Sequence, residues 1–222
     1  MLRTSMERSK VYKEQKTINL FPIQLYKEQV PDNERLKELL IPKIEKYKSE
    51  TVTPPKWFTN KYTGSYYSED VNNQVNEKVF NEPEVNRQYE KVMSNIFSNN
   101  IRQRKPFYNT VTNGCWFNYY SEGEYQERHN HVGSHFAIIH FLQYDPFIHS
   151  PITFIDPIGD LKQYFIDFNS DNHYSFYKNI DLKVKEGDFI MFPAYLDHEV
   201  KPSKPTPNLP RITVSMNLQF NE

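Results

Sequence analysis

The chain lacks several features that would assign a protein to a class at once. Its 222 residues contain a single cysteine, Cys115, so no internal disulfide can form and a reducing compartment is expected. No apolar run approaches the roughly 18 residues that a membrane-spanning helix needs, and no apolar signal-peptide segment follows Met1. These absences predict a cytoplasmic protein, in the host cytoplasm if the source is viral, with no membrane partner.

An excess of charge of one sign is missing as well. The formal net charge is -1 and the pI about 6.7, so no overall field would recruit nucleic acid or an anionic membrane. Alanine occurs only at positions 137 and 194, whereas asparagine, lysine, tyrosine and phenylalanine abound, a bias typical of an AT-rich viral or streamlined bacterial genome. Residues 1–16 are locally basic and are expected to form a solvated tail, and residues 17–222 a single domain.

The first half of the chain predicts one strand and two helices. Residues 17–26 alternate apolar and polar side chains, as an edge strand does. A helix is expected over 34–48, where Pro42 would kink or split it, and a second helix over 82–99. The intervening residues 50–76 are predicted to form a long loop, either a lid or binding element or an irregular surface wrap.

The second half predicts a β structure that follows the two helices. Many short strands separated by Gly, Pro and Asp favour an antiparallel sandwich or jelly roll, with the helices against one outer face. The strand-like runs are 107–112, 115–121, 134–143, 152–155, 163–168, 173–177, 180–184, 188–192 and 211–220.

Histidines are concentrated in one segment of this half. Four of the seven lie within twelve residues, after a turn predicted at Gly123. His129 and His131 are one residue apart, so on an extended strand both side chains project to one face and form a chelating pair. Neutral imidazole suits iron, zinc, copper or nickel. The best candidate for a third ligand is His198, which also closes a short strand-like run, and His135 is an alternative ligand.

Arg211 opens a strand in which polar and apolar residues alternate. Its apolar face must pack under the helices, so the polar face, with Arg211 and Thr213, must line the interior near His198. A buried guanidinium is costly unless it meets an anion, and its fork clamps a carboxylate. The strand therefore predicts a site for the distal carboxylate of a dicarboxylate ligand, unless a protein acid such as Asp156 or Asp188 pairs with Arg211 permanently.

The spacing of these residues resembles the cupin superfamily. The first cupin motif, Gly-x5-His-x-His-x3or4-Glu, is matched from Gly123 through His131, with His135 where the Glu would stand. The second motif, Gly-x5-Pro-x-Gly-x2-His, is matched from Gly187 to His198, with a tyrosine in place of its second Gly. This resemblance implies a cupin-like barrel and leaves the reaction open.

With Arg211 and Thr213 included, the sequence looks like the Fe(II)/2-oxoglutarate-dependent oxygenases, whose pattern is His-x-Asp/Glu, a distal His and an Arg-x-Ser/Thr pair. The segments INLFPIQLY, WFN, HNH and FPAYLDHEVKP resemble in particular a prolyl-4-hydroxylase-like group of phages and marine bacteria. The resemblance implies a mainly β protein, a double-stranded β-helix over about 107–220 with the N-terminal helices packed on one sheet. It implies three ligands for Fe(II): His129, His131 and His198.

The same resemblance implies roles for further residues. Arg211 and Thr213 would anchor 2-oxoglutarate. His140 stands where related hydroxylases often carry a tyrosine that faces the 2-oxoglutarate carboxylate, although it would serve equally as a buried structural histidine. Tyr120 would line the pocket or pack in the core. His131 replaces the acidic ligand of most members, so the metal site is one negative charge poorer.

The activity that the resemblance implies is hydroxylation of a substrate, peptidyl-prolyl or other, with O2 and 2-oxoglutarate as co-substrates. Two other hypotheses belong to different classes: a cupin-like metal-binding protein that does not use 2-oxoglutarate, and a non-catalytic viral structural protein on the same fold. Arg211 with Thr213 argues against the first, because a three-histidine site that activates its substrate needs no such anchor. The intact spacing of all five residues argues against the second.

Overall fold

The computed structural model describes residues 22–50, 64–65, 79–100, 110–121, 123–159, 179–203 and 209–220. Within these ranges the helices are α1 (Asn33–Glu50) and α2 (Pro83–Asn100). The strands are β1 (Tyr26–Gln29), β2 (Gly64–Ser65), β3 (Thr110–Tyr120), β4 (Gln126–His129), β5 (Phe136–Gln143), β6 (Ile152–Ile155), β7 (Asn179–Asp181), β8 (Asp188–Pro193), β9 (His198–Val200) and β10 (Arg211–Phe220).

The strands form two antiparallel sheets. The larger has the order β1-β8-β5-β10-β3-β2, and the smaller has the order β4-β9-β6-β7. Neighbours in both sheets are mostly distant in sequence, as in a jelly roll, where the chain crosses repeatedly between two facing sheets. The predicted fold class, mainly β with helices against one sheet, is confirmed.

Alternate residues of the central strands face two different cores. Ile138 and Leu142 of β5 pack under the helices, whereas Ile139 and Phe141 pack between the two sheets. This division follows from the two-residue period of a strand, which sends successive side chains to opposite faces. The helices contribute a stripe of buried residues to the first core: Leu36, Leu40, Ile44, Val85, Tyr89, Val92 and Ile96.

Both helices agree with their sequence patterns. The Asp32 carboxylate accepts a hydrogen bond from the Arg35 amide at 3.0 Å and so caps α1. Pro42 neither ends nor splits this helix, because it lies on the exposed side, where a carbonyl left without its amide partner can face water. Pro83 occupies the first turn of α2, where no amide donor is needed. In the part of the chain described, neither helix is long and apolar enough to cross a membrane.

The strands differ from expectation at several places. Of the strand predicted over 17–26, residues 17–21 lie outside the described residues and 22–25 are not in a strand. Strand β1 runs from Tyr26 to Gln29 and pairs with β8 at the sheet edge. Strands β4 and β9 were not predicted, because they are short and carry polar residues on both faces. The runs 163–168 and 173–177, the basic segment 1–16 and nearly all of the loop 50–76 lie outside the described residues.

Candidate active site

Three histidine rings meet at the edge of the smaller sheet. His129 ends β4 and is paired with His198, the first residue of β9. His131 lies two residues further on, in a turn held by a 2.8 Å hydrogen bond from its amide to the Ala194 carbonyl. The ring centres lie 4.3 Å apart for His129 and His198, and 5.2 Å from each of these to His131. One potential ligand nitrogen from each ring lies within 4.8 Å of the others.

Backbone carbonyls orient two of the three rings. The Nδ1 of His129 lies 2.7 Å from the Glu127 carbonyl, and the Nδ1 of His198 lies 3.0 Å from the Leu196 carbonyl. Because a carbonyl oxygen only accepts, each Nδ1 carries the proton and each Nε2 keeps its lone pair for a metal. The third ring, His131, stacks on Trp116 with its centre 5.7 Å from the indole.

Burial keeps the three imidazoles neutral. It lowers the pKa of His131 to about 4, with a further contribution from the neighbouring His129. Burial also lowers the pKa of His129 and depresses that of His198 further, well below its usual value. Because a metal binds only the deprotonated imidazole, the cluster is ready for a metal ion near neutral pH without first losing protons.

The alternative ligand His135 lies outside this cluster. Its side chain is exposed, its Nδ1 accepts a 3.1 Å hydrogen bond from the Phe220 amide, and its ring lies 5.1 Å from that of Phe220. His135 therefore contacts the end of β10, and its assignment as an alternative metal ligand is wrong.

An acidic residue next to the cluster is also engaged elsewhere. Asp197 precedes His198, and its carboxylate accepts hydrogen bonds from Arg128 and Asn130 on the outer side of the strands. Those two hydrogen bonds, Asn130 first, lower the pKa of Asp197. Asp197 is consequently not part of the group of side chains that can hold a metal.

Arg211 is a buried cation surrounded by aromatic rings. Only 1% of its surface is exposed, and its guanidinium carbon lies 4.9 Å from the ring centre of Tyr120, 5.4 Å from Phe141 and 5.8 Å from Tyr144. Its Nε has no hydrogen-bond partner among the described residues. Burial lowers the pKa of Arg211, although the neighbouring Tyr120 and Tyr144 oppose that effect. A buried guanidinium with an unused donor is chemically suited to bind an anion.

The described part of the chain offers Arg211 no carboxylate. No acidic residue in it, Asp156 included, lies within 4.0 Å of the guanidinium. Asp188 is instead paired with Lys27 at 2.8 Å and accepts a hydrogen bond from the Lys185 amide at 2.7 Å. Neither Asp156 nor Asp188 is therefore the permanent carboxylate partner of Arg211.

A row of polar side chains leads from Arg211 towards the histidine cluster. Thr213 and Ser215 follow Arg211 on the same face of β10, and Asn118 of β3 donates to their hydroxyls at 3.3 and 3.0 Å. Ser215 is opposite Trp116, the residue that stacks on His131. The cation and the cluster thus both border the core between the two sheets, and the hydroxyl groups of Thr213 and Ser215 lie on the face of β10 that leads from one to the other.

His140 does not belong to this surface. It lies on the helix-facing side of β5, where its Nε2–H donates to the Asn33 Oδ1 at 2.8 Å and its Nδ1 accepts from the Tyr89 hydroxyl at 2.9 Å. Burial lowers the pKa of His140 to about 3. Both ring nitrogens are hydrogen-bonded to residues of the helices, so this placement favours the alternative, a buried structural histidine, over a cofactor-binding role for His140.

Sequence reasoning missed several residues around Arg211. Phe141 and Tyr144 form part of the aromatic enclosure, and His149 is buried nearby, with its Nε2–H donating to the Leu209 carbonyl at 2.8 Å. Phe141 could have been found from the alternation of β5, which gives it the same facing as Ile139. Tyr144 and His149 follow the end of β5, where no periodicity indicates which way a side chain points.

Comparisons with known proteins bear on the family and on the fold. Residues 114–217 match the model of the family described as "Putative 2OG-Fe(II) oxygenase". No curated protein sequence matches the chain.

Three similar solved structures share the fold. A prolyl-4-hydroxylase from Pseudomonas putida is 12% identical with a TM-score of 0.52, over 90% of this chain and 94% of the other. A prolyl hydroxylase from Trichoplax adhaerens, in complex with a hypoxia inducible factor peptide fragment, is 11% identical with a TM-score of 0.52, over 88% and 83%. The non-heme α-ketoglutarate-dependent epimerase SnoN from nogalamycin biosynthesis is 11% identical with a TM-score of 0.56, over 89% and 77%.

Proposed function

We propose that this chain, whose residues 114–217 match the 2OG-Fe(II) oxygenase family model, is an Fe(II)- and 2-oxoglutarate-dependent hydroxylase with its iron on His129, His131 and His198. The site assignment rests on two features found together, the histidine cluster and the buried guanidinium of Arg211. Three neutral histidines that can share a metal, and a buried guanidinium with no carboxylate partner among the described residues, both border the core between the two sheets. The cluster alone would suit any imidazole-binding metal, and the guanidinium alone would suit any anion.

The donor set fits ferrous iron. Imidazole nitrogen is a good ligand for iron, and three ligands leave coordination positions open on a six-coordinate ion. When bound, ferrous iron would activate O2, and 2-oxoglutarate would supply two of the four electrons that reduce O2 as it is converted to succinate and CO2, the substrate C–H bond supplying the other two. The protein contributes neutral nitrogen donors and, through the Glu127 and Leu196 carbonyls, fixes the direction of two of them.

Arg211 and its neighbours fit the far carboxylate of 2-oxoglutarate. The guanidinium presents the unpartnered Nε, and a carboxylate accepts two parallel hydrogen bonds from such a fork. Thr213 adds a hydroxyl on the same face, and the ring of Tyr120 covers the guanidinium. The surrounding aromatic rings exclude water, which strengthens the charge interaction.

We propose a peptide, with a prolyl residue as the first candidate, as the substrate. Support comes from the likeness to prolyl hydroxylases, one of them with a bound peptide fragment. An epimerase shares the fold at a similar TM-score, so the fold does not determine the reaction. The substrate is therefore best sought with prolyl and non-prolyl peptides, scoring the mass gain of one oxygen atom together with succinate release.

We also propose that residues 17–222 form one oxygenase domain that works in the cytoplasm and derives from the phage and marine bacterial group. The two helices and the larger sheet share one core, which supports a single domain. The scarcity of alanine supports an AT-rich source.

Anaerobic titration with Fe(II) and 2-oxoglutarate tests the proposal. We expect a visible metal-to-ligand charge-transfer band that forms only when both are present, because it requires a 2-oxo acid chelated to ferrous iron. The matched control is the exposed histidine variant His135→Ala, which should keep the band, whereas His129→Ala should lose it. Metal binding without any band at saturating 2-oxoglutarate would favour the cupin-like alternative.

A further inference from the structure

Three outward-facing residues flank the histidines of the cluster. Arg128 and Asn130 alternate with His129 and His131 along the chain, and Asp197 directly precedes His198. Since neighbouring residues of an extended chain point to opposite sides, the side chains between the candidate ligands share the outer surface.

The carboxylate of Asp197 joins these residues. Its Oδ2 accepts from the Arg128 Nε at 2.8 Å and lies 2.6 Å from the Nη2 of the same guanidinium, a charge-assisted fork. Its Oδ1 accepts from the Asn130 amide at 2.8 Å. One side chain therefore links the segment that carries two candidate ligands to the strand that carries the third.

The backbone by itself joins these segments weakly. Strand β4 has four residues and β9 has three, and their pairing shifts register between Gln126 and His129. An irregular ladder leaves strand separation and direction less constrained than a regular one. The side-chain link from Asp197 lies beside the His129–His198 pair, at which the irregular stretch of the ladder ends.

We propose that Asp197 is a positioning residue for the metal centre, whose carboxylate clamps Arg128 and Asn130 so that His129, His131 and His198 converge. This inference rests on the proposed function of the three histidines. Asp197 touches no ligand atom of the cluster. It acts through the two strands, in the way that residues behind a metal site hold its ligands in place.

The hydrogen bonds of Asp197 to Arg128 and Asn130 should affect the affinity for a metal more than the free energy of unfolding of the whole protein. The members of this clamp are partly exposed, with 54% of the Arg128 side chain and 27% of the Asp197 side chain accessible. Ion pairs at such exposure contribute little to the free energy of unfolding. A change in metal affinity with a nearly unchanged melting temperature is therefore the expected signature.

The experiment compares Asp197→Ala with Glu199→Ala in the full chain, using Co(II) alone as an oxidation-resistant probe. Both substitutions remove one carboxylate next to His198, but Glu199 takes no part in the clamp. We expect the dissociation constant of Co(II) to rise roughly tenfold in Asp197→Ala and to stay near the wild-type value in Glu199→Ala. If Co(II) binding weakens equally in both variants, the effect comes from the loss of a negative charge near His198, and the proposal is overturned. Unchanged Co(II) affinity in Asp197→Ala would overturn it as well.

A metal-independent measurement separates this inference from the proposed function. The His131 amide, bonded to the Ala194 carbonyl, reports on the segment that the clamp holds. In the metal-free protein its hydrogen exchange should be faster in Asp197→Ala and unchanged in Glu199→Ala. A wild-type protein that binds no Co(II) but shows this exchange pattern would refute the metal site and retain the clamp. Unchanged exchange in Asp197→Ala would refute the clamp itself.

Discussion

At the scale of single residues, Arg211 is the side chain on which the proposed use of 2-oxoglutarate depends. Its guanidinium is buried among Tyr120, Phe141 and Tyr144 and has no carboxylate partner among the described residues. A buried cation without an anion costs several kcal/mol after relaxation, roughly the scale of a whole domain's stability. In the proposed function, 2-oxoglutarate would supply the missing negative charge, and the cost of the unpaired cation would favour its binding.

Replacing Arg211 tests this role. Arg211→Ala should abolish detectable 2-oxoglutarate binding while leaving Co(II) affinity within about twofold, because the cation lies away from the histidine rings. Arg211→Lys should restore binding only in part, since a point charge does not reproduce the fork. Calorimetric titration of each variant with 2-oxoglutarate measures the effect. Wild-type affinity in Arg211→Ala would remove the main reason for assigning 2-oxoglutarate to this protein.

His131 stands where most relatives in the resembled family carry an acid. Three neutral imidazoles leave the metal with its full double charge, whereas a carboxylate would cancel half of it. His131→Asp should therefore tighten Fe(II) binding roughly tenfold, equivalent to about 1.4 kcal/mol, and His131→Ala should weaken it. Competition with a chelating dye measures both constants. Equal weakening in the two variants would show that His131 acts through its ring shape and its stacking on Trp116.

At the scale of elements, His140 connects β5 with both helices. Its two nitrogens are used by Asn33 of α1 and Tyr89 of α2, with no exposure to solvent. Buried polar groups that lose their partner cost about 1–3 kcal/mol, and the deleted ring leaves a cavity besides. The hydrogen bonds of His140 to Asn33 and Tyr89 therefore help to hold both helices against the larger sheet.

We expect His140→Ala to lower the free energy of unfolding by roughly 2–4 kcal/mol, with 2-oxoglutarate affinity retained. Urea denaturation measures the first quantity and calorimetry the second. His135→Ala is the matched control, because its exposed ring should contribute less than about 0.5 kcal/mol. Loss of 2-oxoglutarate binding with stability unchanged would restore the cofactor role that the sequence suggested for His140.

At the scale of the whole molecule, two cores of different construction meet at the larger sheet. Helices cover one face of that sheet, and the smaller sheet, built of strands of three and four residues, covers the other. The candidate metal ligands lie on the smaller sheet and the anion site lies on β10 of the larger one. Closing the two sheets over each other brings the two halves of the site together.

The buried histidines make the stability of the whole protein depend on pH. The folded-state pKa is about 4 for His131 and about 3 for His140, against an ordinary value of 6.5. The unfolded chain therefore binds more protons than the folded chain below pH 6.5, and the free energy of unfolding should fall from there towards pH 3. Urea midpoints measured with a chelator present should decrease over that window. His140→Phe should show a shallower pH dependence, and an equally steep one would contradict the assignment of buried, neutral histidines.

Local patterns in the sequence were sufficient for the elements and for the candidate residues. Periods of 3.6 and two residues indicated both helices and most strands of the larger sheet, and the alternation of β10 correctly placed Arg211 and Thr213 on the inner face. These properties depend on neighbours within a few residues. The polar strands β4 and β9 escaped detection because their partners, not their own composition, make them strands.

Only the tertiary structure decided which of these residues meet. The sequence allowed His135 as a ligand and His140 as a cofactor contact, but in the structure both lie away from the three-histidine cluster. The turn after His131 and the direction in which the side chains of β5 point depend on pairing with residues distant in sequence. The sequence also left open a protein acid as the partner of Arg211, whereas the fold pairs Asp188 with Lys27 instead. The link from Asp197 to Arg128 and Asn130 joins positions nearly seventy residues apart. Contacts over such separations are fixed by how sheets pack, and no local pattern encodes them.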